Sequence, residues 1–557
     1  MMSDIYEDYY REVKAPDGTI MRIETRYGAC FNFAYDVVDR YATECPGKQA
    51  LVHRSADGAV TRYTFGDMKR LSDKAANALS SLGVRRGDPV FLLLKRRAEF
   101  WIAILALHKM GAVAVPTSHM VSAEDIAERV KAAGAKAIVC AGTQDICEKV
   151  AEAVRGTSVI PVSAGCRYAD WAELDELIEA ANEAWERVPT EVTDDMLYYF
   201  TSGTNGAPKA VIHDFSYPIA HIYTAKCWHG AVDGGLHLTV ADSGWAKSAW
   251  GKLYGQWFVG SAVMVYDYEN FFAGEMLRLI AEAGITTFCA PPTIYKYFVT
   301  EDLSGYDLSS LRQVTTAGEP MPAEVARKFA AGTGLTIRDG FGQTETALQI
   351  CTPAAGTPIA GSVGKASPLY RIELHDGDGN PVPAGREGEI VIVPENGQRP
   401  IGIFKGYLGD PERYRDVWRG GVYHTGDKAR ADENGNYFFV GRNDDVIKSS
   451  GYRIGPSEVE DILMRHPAVF ECAVTGYPSK TRGTVVKADV VLNDGFTGDT
   501  RLKTELQDFV KANAAIYKYP RMIEFADSLP HTSNGKISRA AIRARDRETL
   551  RAAGRSL

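Results

Sequence analysis

Up to about residue 440 the sequence alternates short apolar runs with amphipathic helical segments, and this alternation constrains the fold more than any other feature. Pro89–Leu94, Lys136–Cys140, Leu236–Ala241 and Ser261–Tyr266 have strand character. Helical patterns stand among them at Asp67–Leu82, Ala123–Ala133 and Gly274–Ala283. Strands separated in this way by helices form α/β layers with largely parallel sheets, because a parallel pair needs a crossover between its strands. The pattern then changes. Arg371–Glu395 is broken by Asp376-Gly377-Asp378-Gly379-Asn380 and Pro383-Ala384-Gly385, and a turn-rich hairpin follows at Ala431–Val440. Such spacing predicts an antiparallel, β-barrel-like subdomain.

The polar stretch Gly441-Arg442-Asn443-Asp444-Asp445 leads into a compact α+β pattern of about a hundred residues. Its first helix is expected to start near Pro456, with Ser457 and Glu460 at capping-box spacing and Val459, Ile462 and Leu463 on one face. A chain of 557 residues exceeds what one core organises, so two domains are expected, 1–443 and 444–557. Their charges differ: residues 444–557 carry 18 basic and 15 acidic side chains, against 45 and 56 in the remainder. A basic module on an acidic body can receive a polyanion such as a nucleotide tail, and uneven drift in composition produces the same asymmetry. The net charge of −8 argues against a protein whose whole body coats nucleic acid.

Nine cysteines without a Cys-x-x-Cys pair suggest neither a disulfide framework nor a thiolate zinc site. The start, MMSDIYEDYY, is acidic where a secretory signal is basic. The most apolar stretch, Phe100 to Leu107, is stopped by His108 and Lys109, far short of the roughly 20 residues that cross a bilayer. The expectation is a cytoplasmic protein with no transmembrane segment. His213, His221, His229 and His237 are spaced by eight, which on a helix turns about 80° per step and shares no face, so a zinc site is not read from them.

The strongest local signal is Thr201-Ser202-Gly203-Thr204-Asn205-Gly206-Ala207-Pro208-Lys209, after the apolar run Leu197–Phe200. Glycines let backbone N–H groups turn toward an anion, hydroxyls add donors and the lysine adds charge, which is what a triphosphate requires. The spacing is not that of a Walker A loop, since Lys209 is followed by Ala210. Further on, Gly340-Phe341-Gly342-Gln343-Thr344-Glu345 resembles half of a dinucleotide fingerprint, but Glu345 replaces the third glycine and would repel a pyrophosphate. A carboxylate there makes sense beside a divalent cation, since magnesium takes one or two carboxylates and keeps most of its waters. Asp427, after a glycine, offers the acceptor pair that two ribose hydroxyls need.

Taken in order, these segments resemble the acyl-adenylate-forming superfamily, which includes acyl-CoA synthetases, luciferases and peptide-synthetase adenylation domains. The loop Thr201–Lys209 resembles its phosphate loop, and Thr316-Ala317-Gly318-Glu319-Pro320 its adenine-side loop. Asp339-Gly340-Phe341-Gly342-Gln343-Thr344-Glu345-Thr346 resembles the motif whose threonine meets phosphate and whose glutamate holds magnesium. Tyr423-His424-Thr425-Gly426-Asp427 resembles the ribose motif, Gly441–Asp445 the hinge with Arg442 beside the nucleotide, and Pro530–Lys536 the catalytic-lysine motif. The resemblance implies ATP, Mg²⁺ and coenzyme A as co-substrates and metal. It gives Lys536, Thr344 and Glu345 the catalytic roles, Asp444 the pivot of a mobile C-terminal domain, and Ser450-Gly451-Tyr452-Arg453 the pantetheine tunnel.

The acid is less determined. Acetate-specific relatives resemble this chain around Asp242–Trp245 but carry tryptophan where Gly342 stands, and valines where Ala246 and Ala317 stand. Smaller residues predict a wider acyl pocket with Trp245 as a wall, and each buried methylene adds about 0.8 kcal/mol. Medium-chain or branched acids are the expectation, a benzoate-type acid the alternative. Lys247 beside the pocket has no account from the sequence. A carrier-linked adenylation domain, a luciferase-like oxygenase and a non-enzymatic nucleotide-binding relic are the rivals. A homo-oligomer is compatible with the sequence, and no nucleic acid partner is indicated.

Overall fold

The computed structural model describes residues 4–201, 209–442, 445–449, 452–479, 483–532 and 536–552. Two large sheets dominate. One has eight strands in the order Gly406–Tyr407, Lys209–Asp214, Asp195–Thr201, Val113–Pro116, Pro89–Leu93, Ala137–Ala141, Ile160–Ala164 and Ala172–Glu173. Lys209–Asp214 runs antiparallel to both its neighbours, and the remaining pairings are parallel. The other has nine strands, whose parallel centre is Ile337–Phe341, Gln313–Ala317, Thr287–Cys289, Leu236–Thr239, Ala262–Tyr266 and Gln49–Arg54. Central strands such as Ala137–Ala141 are buried at every residue, as helices on both faces of a parallel sheet require.

Between the sheets lies an aromatic core that includes Phe33, Trp101, Tyr254 and Trp257. The helix Ala98–Met110 is apolar nearly all round and runs through this core, ending at Gly111 in the left-handed conformation. Its one buried cation, Lys109, is held by Asp39 at 2.7 Å and Asp73 at 2.5 Å, the pairing that a buried ammonium needs. No helix among the described residues is long and apolar enough to cross a membrane.

The antiparallel subdomain is an open sheet of four strands, Arg371–His375, Glu387–Val393, Tyr423–Ala431 and Tyr437–Arg442, so the expected barrel does not close. Beyond it the C-terminal unit has its own core, with Ile454, Val459, Leu463, Val474, Leu506 and Val510. It pairs Ile447–Ser449 with Tyr452–Ile454 and builds a sheet from Val469–Ser479, Gly483–Leu492 and Met522–Phe525. Helices Pro456–Leu463, Thr500–Asn513 and Arg539–Ala552 accompany that sheet. The predicted capping box is not formed. Gly455 is the N-cap, Pro456 occupies the first turn, and Glu460 instead pairs with Arg539 at 2.6 Å.

Among the described residues, the small unit meets the large one where the helix Pro456–Leu463 packs on the strand Tyr437–Arg442, and at further points. The rings of Tyr297 and Phe470 lie 6.0 Å apart. The backbone N–H of Ala323 donates to Asp461 Oδ1 at 3.4 Å. The Cε of Lys536 comes within 3.6 Å of where a side chain on Gly318 would begin.

Candidate active site

The cleft forms where the carboxyl ends of strands from both sheets face the antiparallel subdomain, the usual position for a ligand in open α/β sheets. From the first sheet, Asp195–Thr201 delivers Thr201 to the start of the glycine-rich loop, and Lys209 begins the return strand paired with it. Ser202, Gly203, Thr204, Asn205 and Gly206 lie outside the described residues. From the second sheet, Gln313–Ala317 runs into Gly318 at φ 107°, with Glu319 and Pro320 after it. Beside it, Ile337–Phe341 carries Asp339, Gly340 and Phe341 up to Gly342, Gln343, Thr344 and Glu345.

Lys209 and Glu345 meet across this cleft with Nζ and Oε1 2.9 Å apart. The hydroxyl of Tyr407 donates to the same oxygen at 2.9 Å, and Lys209 Nζ lies 3.3 Å from that hydroxyl. Burial alone would raise the Glu345 pKa, but the Lys209 ammonium and the two hydrogen bonds outweigh it, and the carboxyl is held below its usual range. A buried, ionised carboxylate beside the Lys209 ammonium is donor chemistry that a magnesium ion fits.

Asp427 is buried on the strand Tyr423–Ala431, directly opposite Arg442 in the register. Gln343 Nε2 donates to its Oδ2 at 2.5 Å and to the Thr425 carbonyl at 2.8 Å, while the Tyr423 hydroxyl donates to Gln343 Oε1 at 2.8 Å. Arg442 stands 3.7 Å from Asp427, but its guanidinium is 46% exposed and does not offset burial, which pushes the Asp427 carboxyl up to about 6. Burial likewise pushes Asp339 up to about 7. Thr344 turns its carbonyl onto His213 Nε2 at 2.8 Å. Lys536 is exposed at the mouth of the cleft beside Gly318. Asp444, Ser450 and Gly451 lie outside the described residues, and Tyr452 and Arg453 are on the strand Tyr452–Ile454.

The acyl region differs from its sequence expectation. Ala317 is buried, Trp245 is half-buried and Ala246 packs against the main core. The volume expected beside Gly342 is not open, because a side chain there would run into the indole edge of Trp250 and approach the Ala347 carbonyl to 2.8 Å. Trp250 and Lys247 lie on the one-turn helix Lys247–Gly251, and Lys247 Nζ donates to the Ala317 carbonyl at 2.8 Å. Burial lowers the Lys247 pKa. This short helix therefore adjoins both Ala317 and Gly342.

Tyr407, His213 and Trp250 are site residues that motif reading missed. His213 could have been found, since it lies four residues after Lys209 on one strand and so shares its face. Nothing in the sequence around Tyr407 signals its role. Its short strand Gly406–Tyr407 reaches the cleft only by pairing with Val211 and Ile212.

A family model described as AMP-binding enzyme matches residues 38–408, and its C-terminal domain model matches 458–536. The mitochondrial acyl-coenzyme A synthetase ACSM3 of Homo sapiens is 37% identical over 536 residues, covering 93% of this chain and 90% of that protein. Among solved structures, the anthranilate CoA ligase AuaEII in complex with anthranoyl-AMP superposes with a TM-score of 0.85 at 28% identity, covering 93% of this chain and 98% of that one. A benzoate CoA ligase from Burkholderia xenovorans LB400 gives a TM-score of 0.81 at 28% identity, covering 92% of this chain and 100% of that one.

Proposed function

The chain belongs to the AMP-binding enzyme family, and from that premise we infer how its residues divide the work of an ATP-dependent acyl-CoA ligase. The reaction joins a carboxylate to AMP with loss of pyrophosphate, then to coenzyme A with loss of AMP. The observation that carries the residue assignments is convergence. Lys209, Glu345, Asp427 and Arg442 from the large unit and Lys536 from the small one surround one cleft.

In the first half-reaction a carboxylate oxygen attacks the α-phosphorus of ATP and the bond to the β-phosphate breaks. No general base is needed, because the acid is already ionised at neutral pH. Two anions must approach, so cations and donors already in position carry the catalysis. Asp427 accepts the ribose hydroxyls. Lys209 and the loop before it hold the departing phosphates, and Thr344 donates to phosphate. Glu345 would hold a divalent cation, which when bound would supply further neutralisation of the phosphates. Lys536 brings its ammonium between the carboxylate and the α-phosphate. In the second half-reaction the thiol sulfur of coenzyme A attacks the acyl carbon, AMP leaves with the bonding pair, and the thiol proton is released. Lys536 would obstruct that approach, so the small unit turns about Asp444, which brings Ser450–Arg453 to the pantetheine arm.

Lys536→Ala is expected to abolish adenylation while leaving conversion of supplied acyl-adenylate to acyl-CoA largely intact. Equal loss in both half-reactions would contradict the domain rotation. For the acid, the small residues Ala246 and Ala317 and the similarity to acyl-coenzyme A synthetase ACSM3 support a medium-chain or branched substrate. The indole of Trp250 at Gly342 favours compact branched or aryl acids over long straight ones. A coenzyme A-dependent AMP-release screen over acetate, butyrate, 2-methylbutyrate, octanoate and benzoate tests this. A clear lead for acetate would refute the wider pocket.

A further inference from the structure

We propose that His213 is a positioning residue for adenylate formation, acting through the backbone of Thr344. The inference rests on the ligase reading above. The strand Lys209–Asp214 presents Lys209, Val211 and His213 on one face. Two of these residues hold consecutive positions of the phosphate-side motif, Lys209 at the Glu345 carboxylate (2.9 Å) and His213 at the Thr344 carbonyl (2.8 Å). The Glu345 carbonyl is taken by the Phe404 N–H at 2.7 Å, so both peptide oxygens of the Thr344–Glu345 pair are engaged by protein donors. A carbonyl left to swing could turn its oxygen toward the triphosphate and repel it. Anchoring it leaves the Thr344 side chain to meet phosphate.

The imidazole suits this task because it has one form. It is 1% exposed and stacks on Tyr217 with centroids 3.8 Å apart, and burial pushes its pKa down to about 4. The neutral ring must then carry its proton on Nε2 to donate to the carbonyl, and Nδ1 is buried and has no hydrogen-bond partner among the described residues.

The test compares His213→Leu and His213→Gln in acid-dependent exchange of labelled pyrophosphate into ATP, and in thioester formation from supplied acyl-adenylate. The amide of glutamine can reach the carbonyl; leucine fills the space without a donor. His213→Leu is expected to slow exchange about ten- to a hundredfold through kcat, the loss of one hydrogen bond to a buried group. The KM for the acid and the thioester step should stay within about twofold of wild type. His213→Gln should recover most of the exchange rate. Combining His213→Leu with Thr344→Ala should add little to Thr344→Ala alone, since the histidine acts through that residue. Should His213→Leu fail to fold, His213→Gln should outperform His213→Asn, whose shorter arm falls short of the carbonyl.

Wild-type exchange in His213→Leu would overturn the proposal. So would equal loss in both half-reactions, multiplicative effects in the double variant, or a glutamine variant no better than leucine or asparagine at matched Tm. No exchange in the wild-type protein with any acid would instead refute the ligase reading itself.

Discussion

Asp427 and Trp250 make opposite demands of their surroundings, one needing charge and the other space. Burial raises the Asp427 carboxyl to about 6. Its ordinary value is near 4, so in the absence of nucleotide the native state favours the protonated acid. That contribution to stability is complete below about pH 4 and is lost as pH rises through about 6. Two ribose hydroxyls are donors and favour the ionised form, so ATP should bind more tightly as pH rises from 5 to 7 and release a proton near pH 6. Calorimetry in buffers of different ionisation enthalpy measures that proton, and Asp427→Asn should abolish it along with the pH dependence of the ATP KM. Trp250→Ala should shift chain-length preference upward, because its indole occupies the space beside Gly342. Each methylene accommodated is worth about 0.8 kcal/mol, or about fourfold in kcat/KM. A series from butyrate to decanoate reads this directly, and an unchanged optimum would place the acyl chain elsewhere.

At the scale of elements, the edge strand Gly406–Tyr407 matters more than its length suggests. It pairs with the strand Lys209–Asp214 and thereby sets the Tyr407 hydroxyl on Glu345. Tyr407→Phe should weaken magnesium–ATP use by about tenfold, as expected for one hydrogen bond to a charged group, with little change in the thioester step. Titrating magnesium at fixed ATP checks it. The parallel-sheet architecture was legible because its buried strands and amphipathic helices repeat strongly: the helix Ala123–Ala133 was placed to the residue. What depends on distant pairing was not legible. Gly342 read alone implied space, yet the occupant comes from a helix ninety-odd residues earlier in the chain. Ser457 and Glu460 had capping-box spacing, but Pro456 in the first turn and the pull of Arg539 on Glu460 gave that helix a different start. The antiparallel subdomain was recognised from its turns. Whether it closes depends on its flanking strands finding each other, and local pattern carries no information about that.

For the whole molecule, the small unit sits with Lys536 beside Gly318, the arrangement that the proposed mechanism assigns to adenylation. Phe470 against Tyr297 and Asp461 on the Ala323 N–H are contacts between the units that rotation would break. Phe470→Ala with Asp461→Ala should therefore slow adenylation several-fold and leave the thioester step unchanged or faster, since only the first arrangement loses support. Separate half-reaction rates decide it, and equal slowing would mean that these contacts serve folding alone. The register of the antiparallel subdomain has a further effect. The carboxylate proposed to take the sugar faces, rung to rung, the arginine from which the chain proceeds to its proposed swivel. On the proposed mechanism, filling or emptying that berth would change the charge the arginine sees at the root of the arm proposed to move. Departure of AMP would then restore the empty pair and ready it for the next ATP.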